Sequence, residues 1–181
     1  MPETSFMLRT LLPDELYALL KPCYTNRNSC RGSGRVLSIQ PNAKEGEIVL
    51  FFSIDDQSNS ECQVRGLLGI SGRICDCLIL YVRNDQMLIC LVELKGREGK
   101  DAEEQIVNTY NYLQPPFSNF LKKSKMFSQV KWRAFIYRQG GSNRRNEEET
   151  QRRMEKAFGR GNFLFRNNPD LGDALRAWTK V

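Results

Sequence analysis

The chain has 181 residues, of which 40% are apolar and 27% are charged, a balance that predicts one globular domain spanning residues 1–181. It contains no histidine, which excludes Ser-His-Asp and Cys-His catalysis and any zinc site that uses histidine. No apolar run reaches the roughly 18 residues of a membrane helix, and the first residues lack the pattern of a secretory signal, so we expect a cytoplasmic protein with no membrane partner.

Apolar periodicity and turn residues predict a chain in which helices and strands alternate. The first two strands are expected to form a hairpin after a polar loop, and Pro115 and Pro116 are expected to end a helix. This order predicts an α/β or α+β fold, with a central mixed sheet flanked by helices. Helices are predicted at residues 11–20, 101–113, 117–127, 146–158 and 169–178, the polar loop at 25–34, and strands at 35–40, 47–54, 74–82, 87–94, 130–137 and 162–166, with 63–70 as a further candidate strand.

None of the six cysteines lies in a Cys-x-x-Cys pair, and three lie within apolar runs, where cysteine usually packs as a small hydrophobic residue. Cys75 and Cys77 flank Asp76, and packing is favoured over a redox-sensing role for both. We expect reduced thiols, rather than a metal site, at Cys23, Cys30, Cys62, Cys75, Cys77 and Cys90.

The positive charge of the chain is concentrated in its last third. Residues 1–120 carry 12 Lys and Arg against 15 Asp and Glu, whereas residues 121–181 carry 15 against 6. Such a basic surface suits a polyanion such as nucleic acid, and it is equally typical of a solvated face that maintains solubility. The candidate phosphate contacts are Lys122, Lys123, Lys125, Arg144, Arg145, Arg152 and Arg153.

Two ionisable residues lie at the end of a predicted strand that is apolar on both faces. Because side chains alternate along a strand, Glu93 and Lys95 share one face and stand about 6.6 Å apart. If Asn84 and Asp85 form the two-residue turn of a hairpin, Asp76 lies directly opposite Glu93, with Cβ atoms about 4.5–5.5 Å apart. A three-residue turn would place Asp76 on the other face.

Two carboxylates held this close need a compensating cation. Without histidine or suitably spaced cysteines, the ligands would be carboxylate, backbone carbonyl and water oxygens, which select Mg²⁺ or Mn²⁺ over zinc. The structural alternative is that Glu93 and Lys95 form an ordinary salt bridge at a strand end and that Asp76 caps a turn.

Asp76, followed by a hairpin into Glu93-Leu94-Lys95 and by a helix that carries Gln105, resembles the PD-(D/E)xK nuclease superfamily, which includes many restriction endonucleases and the archaeal Holliday junction resolvases. The resemblance implies a restriction-endonuclease-like core. It also implies that Asp76, Glu93 and the backbone carbonyl of Leu94 are ligands of Mg²⁺ or Mn²⁺. Lys95 would then orient or activate the attacking water, and Gln105 would position nucleic acid or the lysine.

The sequence departs from the family pattern at two points. Cys75 stands where the eponymous proline would precede the aspartate. The pattern also does not fix the additional acid that is usual on the first helix. Glu15 is the candidate for this acid, with Glu47 and Glu61 as alternatives.

The resemblance implies a metal-dependent endonuclease that hydrolyses phosphodiester bonds of nucleic acid, and we expect DNA as the substrate. Because cutting both strands calls for two active sites, we also expect a homodimer. The alternative function is a non-catalytic module on a nuclease-like scaffold, which binds nucleic acid or an acidic partner through its basic last third.

Overall fold

The computed structural model describes residues 2–32, 34–95, 101–138, 144–166 and 171–179. Its helices are α1 (Pro2–Leu11), α2 (Asp14–Leu20), α3 (Val64–Leu67), α4 (Ala102–Ser124), α5 (Arg144–Phe158) and α6 (Leu171–Trp178). Its strands are β1 (Tyr24–Thr25), β2 (Ser29–Gly32), β3 (Arg35–Ser38), β4 (Ile48–Ser53), β5 (Cys77–Arg83), β6 (Gln86–Lys95), β7 (Gln129–Arg138) and β8 (Phe163–Arg166).

Six of these strands form a mixed sheet in the order β1-β4-β5-β6-β7-β8. The neighbouring pairs β1–β4, β4–β5 and β5–β6 are antiparallel, whereas β7 is parallel to β6 and β8 is parallel to β7. Strands β2 and β3 form a separate antiparallel hairpin. Helices flank the central sheet, so the predicted mixed α/β architecture is confirmed.

The β5–β6 hairpin has the predicted register. Arg83 pairs with Gln86 across the turn. Asn84 and Asp85 both adopt positive φ angles, 49° and 61°, which is the backbone of a type I′ turn. The pairing continues to the first residue of β5, so Asp76, which precedes it, comes level with Glu93 at the end of the sheet.

Both faces of β5 and β6 are buried, because alternate side chains enter different cores. Leu78 and Leu91 belong to the core that contains α1, α2 and α4. Ile79 and Cys90 belong to the core on the opposite face, which contains the β2–β3 hairpin and α6. Central strands covered on both sides are largely apolar, and here the charged side chains lie only where the strands emerge from the core.

The N-terminal strands pair differently from the prediction. Strand β3 pairs with β2, which lies in the stretch predicted to be a polar loop, and β4 pairs with β1 and β5. Val49, Leu50, Phe51 and Phe52 are all buried, so β4 belongs inside the central sheet rather than in an isolated hairpin. The candidate strand at 63–70 is also wrong, because it contains the short helix α3.

Helix α4 runs through the two adjacent prolines that were expected to end it. A proline inside a helix removes a hydrogen bond and costs about 3 kcal/mol. Leu113, Phe117 and Leu121 lie on one buried face of α4 on both sides of the prolines, and burial of this face offsets the cost. The two helices predicted there are therefore one.

The expectation of six reduced thiols is wrong for four cysteines. These four form two disulfide pairs whose members are 39 and 47 residues apart in sequence. The apolar pattern around each cysteine therefore could not indicate its partner. Cys75 and Cys90 are free and buried, and Cys77 is cross-linked rather than merely packed. The structure contains two disulfide bonds, Cys23–Cys62 and Cys30–Cys77.

The two disulfide bonds bear on where the protein resides. Disulfide bonds persist mainly in oxidising compartments, so these two bonds weigh against the expected cytoplasmic location. Within the described residues, no helix has both the length and the apolarity needed to cross a bilayer.

Candidate active site

Three residues predicted from the sequence meet at the end of the sheet where β5 begins and β6 ends. Glu93 Oε2 accepts a hydrogen bond from the backbone N–H of Asp76 at 3.1 Å. Asp76 Oδ2 accepts one from the backbone N–H of Leu94 at 2.8 Å. Lys95 Nζ lies 2.8 Å from Glu93 Oε1. Two carboxylates and one ammonium group therefore share this site.

Gln105, in the first turns of α4, links the lysine to the chain that precedes β5. Its side-chain oxygen accepts a hydrogen bond from Lys95 Nζ. Its amide nitrogen donates to the carbonyl oxygen of Ile74 at 3.1 Å. Because Gln105 is buried and bonded at both ends, it holds the ammonium group in a fixed position beside Glu93.

Burial is the main electrostatic feature of the two carboxyl groups. Desolvation raises the pKa of Asp76 to about 6, against the lowering effects of the Leu94 N–H and Lys95. The pKa of Glu93 is raised to about 7, mainly by desolvation and secondly by the charge of Asp76, and the contacts with Lys95 again oppose the shift. Such a pair is costly to ionise by itself and gains stability from an additional positive charge.

The donor atoms at this site fit a small divalent cation. Asp76 and Glu93 supply carboxylate oxygens and Leu94 supplies a carbonyl between them, the hard ligands that Mg²⁺ and Mn²⁺ prefer. Gly32 packs against the Asp76 carboxylate so closely that a Cβ at Gly32 would lie 2.3 Å from Asp76 Cγ. Only glycine at this position therefore lets the β2–β3 hairpin approach the Asp76 carboxylate this closely.

The structure does not bring a predicted third acid to the site. Glu15 is exposed on α2, and Glu61 is exposed in the loop before α3. Glu47 is buried at the opposite end of β5, where it accepts hydrogen bonds from Tyr81 and Arg176. Among the described residues, no cluster of three or more His, Cys, Asp or Glu side chains is placed to hold a metal ion.

Sequence reasoning missed Asp55, which lies near Asp76. The charge of Asp55 contributes to the raised pKa of Asp76, and both residues line the same cleft. Arg65 holds the Asp55 carboxylate at 2.8 Å. The pairing of Ser53 with Cys77 brings the end of β4 to the start of β5. The sequence analysis paired β4 with residues 35–40 instead of with β5. It therefore did not place Asp55, which follows β4, beside Asp76.

The lysines predicted to contact phosphate lie far from this site. Lys122, Lys123 and Lys125 are exposed at the C-terminal end of α4. Lys122 is 17 residues beyond Gln105 in the same helix. At roughly 1.5 Å per residue, that separation is about 26 Å. The structure therefore does not bring these lysines and the carboxylates together.

The predicted arginine contacts lie on α5. Arg152 and Arg153 are exposed, and Arg153 forms an ion pair with Glu149 one turn away. Arg144 and Arg145 are in the first turn of α5, but their side chains lie outside the described residues. Contact between these arginines and nucleic acid remains a prediction.

Comparison of the chain with protein-family models, curated proteins and solved structures gives no match. The functional inference therefore depends on the chemistry of the residues at this site.

Proposed function

We propose that the chain is a metal-dependent endonuclease that hydrolyses phosphodiester bonds of DNA, with a restriction-endonuclease-like core of the PD-(D/E)xK type. The observation that carries the proposal is the meeting of Asp76, Glu93 and Lys95, with Gln105 holding the lysine. The mixed sheet flanked by helices supports such a core. A structural salt bridge would need one carboxylate, whereas a second buried carboxylate costs free energy unless a cation binds.

The proposed chemistry divides between the metal ligands and the lysine. Asp76, Glu93 and the Leu94 carbonyl would hold Mg²⁺ or Mn²⁺. An ion bound there would lower the pKa of a water molecule and neutralise charge on the scissile phosphate. Lys95 would donate a hydrogen bond to the attacking water or to a phosphate oxygen as negative charge develops. Its contacts with Glu93 and Gln105 orient the ammonium group before substrate binds.

Cleavage of DNA tests the proposal directly. We expect the purified protein to nick or linearise supercoiled plasmid in Mg²⁺ or Mn²⁺ but not in EDTA, and we expect Glu93→Gln to be inactive. Parallel incubations with linear duplex, branched duplex, single-stranded DNA and RNA identify the preferred substrate. Cleavage that persists in EDTA or in the Glu93→Gln variant would contradict the proposed site.

Metal binding gives a second test that does not depend on activity. One ion at a hundredfold excess over its dissociation constant adds about 2.7 kcal/mol to the free energy of unfolding. For a domain of this size, Mn²⁺ should therefore raise Tm by roughly 5–10 °C. Asp76→Asn should abolish this shift, because it removes one of the two carboxylate ligands. Differential scanning fluorimetry measures the Tm of the wild type and of Asp76→Asn with and without Mn²⁺.

The matched control for this experiment is Asp85→Asn. Asp85 is exposed in the turn at the other end of the same hairpin, and asparagine tolerates its positive φ. This variant should keep the full Mn²⁺ shift. If Asp76→Asn and the wild type respond equally to Mn²⁺, Asp76 is not a ligand. DNA binding without any metal response would instead favour the non-catalytic module.

A further inference from the structure

A cleft of about 800 Å³ lies between the β2–β3 hairpin and the segment that follows β4. The lining residues are of opposite charge on its two sides. Asp55, Asp56 and Asp76 line the side formed by the central sheet and the segment after β4, and Arg31 and Arg35 line the side formed by the hairpin. The cleft thus joins Asp76, one of the candidate metal ligands, to a pair of arginines.

The backbone of the hairpin determines how near these arginines are to the site. Gly32 packs against the Asp76 carboxylate. Arg31 precedes Gly32 in β2, and Arg35 pairs directly with Gly32 across the hairpin. Neighbouring Cα atoms are about 3.8 Å apart along a chain and about 4.5–5.5 Å apart across an antiparallel pair. The Cα atoms of both arginines therefore lie within about 6 Å of the Cα atom of Gly32, the residue that packs against Asp76.

A disulfide bond anchors the hairpin at the same place. Cys30, which precedes Arg31, is bonded to Cys77, which follows Asp76. Leu37 of β3 is buried in the core beneath. The two sides of the cleft are thus cross-linked next to the candidate ligands, and the arginines project from a rigid support.

The segment that contains the hairpin is basic throughout. Residues 16–44 contain no Asp or Glu, although residues 1–120 as a whole are net negative.

Arg31 is exposed and forms no ion pair among the described residues. Arg35 donates a hydrogen bond to the Tyr137 hydroxyl at 3.1 Å and lies over its ring. Arginine presents a planar set of donors that matches phosphate oxygens.

From this placement we infer that Arg31 and Arg35 bind the phosphate backbone of the DNA strand beside the scissile bond, so that the β2–β3 hairpin is the DNA-binding wall of the active-site cleft. The inference rests on the proposed function, because the carboxylates of that site place the scissile phosphate in this cleft. It assigns the nearest phosphate contacts to the N-terminal hairpin and not to the basic last third of the chain.

Binding of a fluorescein-labelled DNA duplex in EDTA, followed by fluorescence anisotropy at several salt concentrations, tests the inference without cleavage. The slope of log K against log salt is negative, and loss of one phosphate contact reduces its magnitude by about 0.9. This change corresponds to roughly five- to tenfold weaker binding near 0.1 M salt. We expect this change for Arg31→Ala and for Arg35→Ala. Arg31→Lys should recover much of the affinity.

Arg27→Ala is the matched control, because Arg27 is exposed just before the hairpin and does not line the cleft. It should bind as the wild type does. Wild-type affinity and salt slope in both Arg31→Ala and Arg35→Ala, with a loss in Arg152→Ala, would overturn the inference in favour of α5. Equal competition by polyglutamate and by DNA of the same charge would also overturn it, because phosphate would not be the recognised group.

The same variants separate this inference from the proposed function. If the wild type does not cleave DNA in Mg²⁺ but the hairpin variants lose DNA binding, the nuclease proposal fails, and the hairpin remains a DNA-binding surface without a scissile bond beside it. If the wild type cleaves and the hairpin variants bind and cleave equally well, the binding wall alone is wrong.

Discussion

Replacing Lys95 with alanine is expected to lower the Mg²⁺-dependent rate of DNA cleavage by a factor on the order of 10²–10³, because one well-placed donor at a developing charge contributes about 3–4 kcal/mol. Lys95 Nζ contacts Glu93 and Gln105. The substitution removes this ammonium group but neither of the two carboxylates. Single-turnover cleavage of a labelled duplex at saturating Mg²⁺ measures the effect. Duplex binding in EDTA should change far less than the rate.

Lys44→Ala is the control for charge alone, because Lys44 is exposed in the loop between β3 and β4. This variant should cleave at the wild-type rate. Gln105→Ala should reduce the rate less than Lys95→Ala does, because the lysine keeps its contact with Glu93. If Lys95→Ala cleaved as fast as the wild type, Lys95 and Glu93 would be only a salt bridge at a strand end.

Replacing Arg176 with methionine is expected to lower the free energy of unfolding by roughly 3–5 kcal/mol, the usual cost of leaving a buried charge without its partner. The Glu47 side chain is fully buried and that of Arg176 is 28% exposed. Arg176 binds both carboxylate oxygens of Glu47, at 2.8 and 3.1 Å, and so joins α6 to the start of β4. Urea denaturation at pH 7 measures the loss.

Two comparisons show whether the loss comes from the ion pair. Arg152→Met removes an exposed arginine from α5 and should change stability little. Glu47→Gln in the Arg176→Met background removes the unpaired charge and should restore part of the stability. If the double variant is no more stable than Arg176→Met alone, the effect comes from lost packing and not from the buried carboxylate.

The same pair predicts a difference in acid stability. The hydrogen bond with Arg176 is the main cause that lowers the pKa of Glu47 to about 2, from an ordinary value of 4.5. The stability this contributes is complete above pH 4.5 and is lost as the pH falls from 4.5 toward 2. In Arg176→Met the pKa of Glu47 should rise, so the difference in stability between wild type and variant should shrink across that interval. Urea titrations at several pH values measure it.

The part of the site that sequence could predict is the part built from local structure. The turn at Asn84 and Asp85 sets the β5–β6 register, and that register brings Asp76 level with Glu93. An apolar run that ends in ionisable residues marks where a covered strand emerges from the core. These signals lie within a short stretch of chain, so periodicity and turn chemistry were enough to predict them.

The features that sequence could not predict depend on contacts between distant residues. The Cys30–Cys77 bond spans 47 residues, and the Arg176–Glu47 pair joins residues 129 apart. The path of α4 through its prolines depends on which face the rest of the fold buries. Asp55 was missed for the same reason, since its position follows from the pairing of β4 with β5.

The unbroken course of α4 sets a minimum length for any duplex that uses both ends of this helix. Gln105 holds the candidate lysine near one end, and Lys122 begins the basic cluster at the other, about 26 Å away. Since successive base pairs rise about 3.4 Å, DNA lying along the helix would have a footprint of about eight base pairs on that side of the cut. Shorter fragments would reach the carboxylates without reaching the lysine cluster.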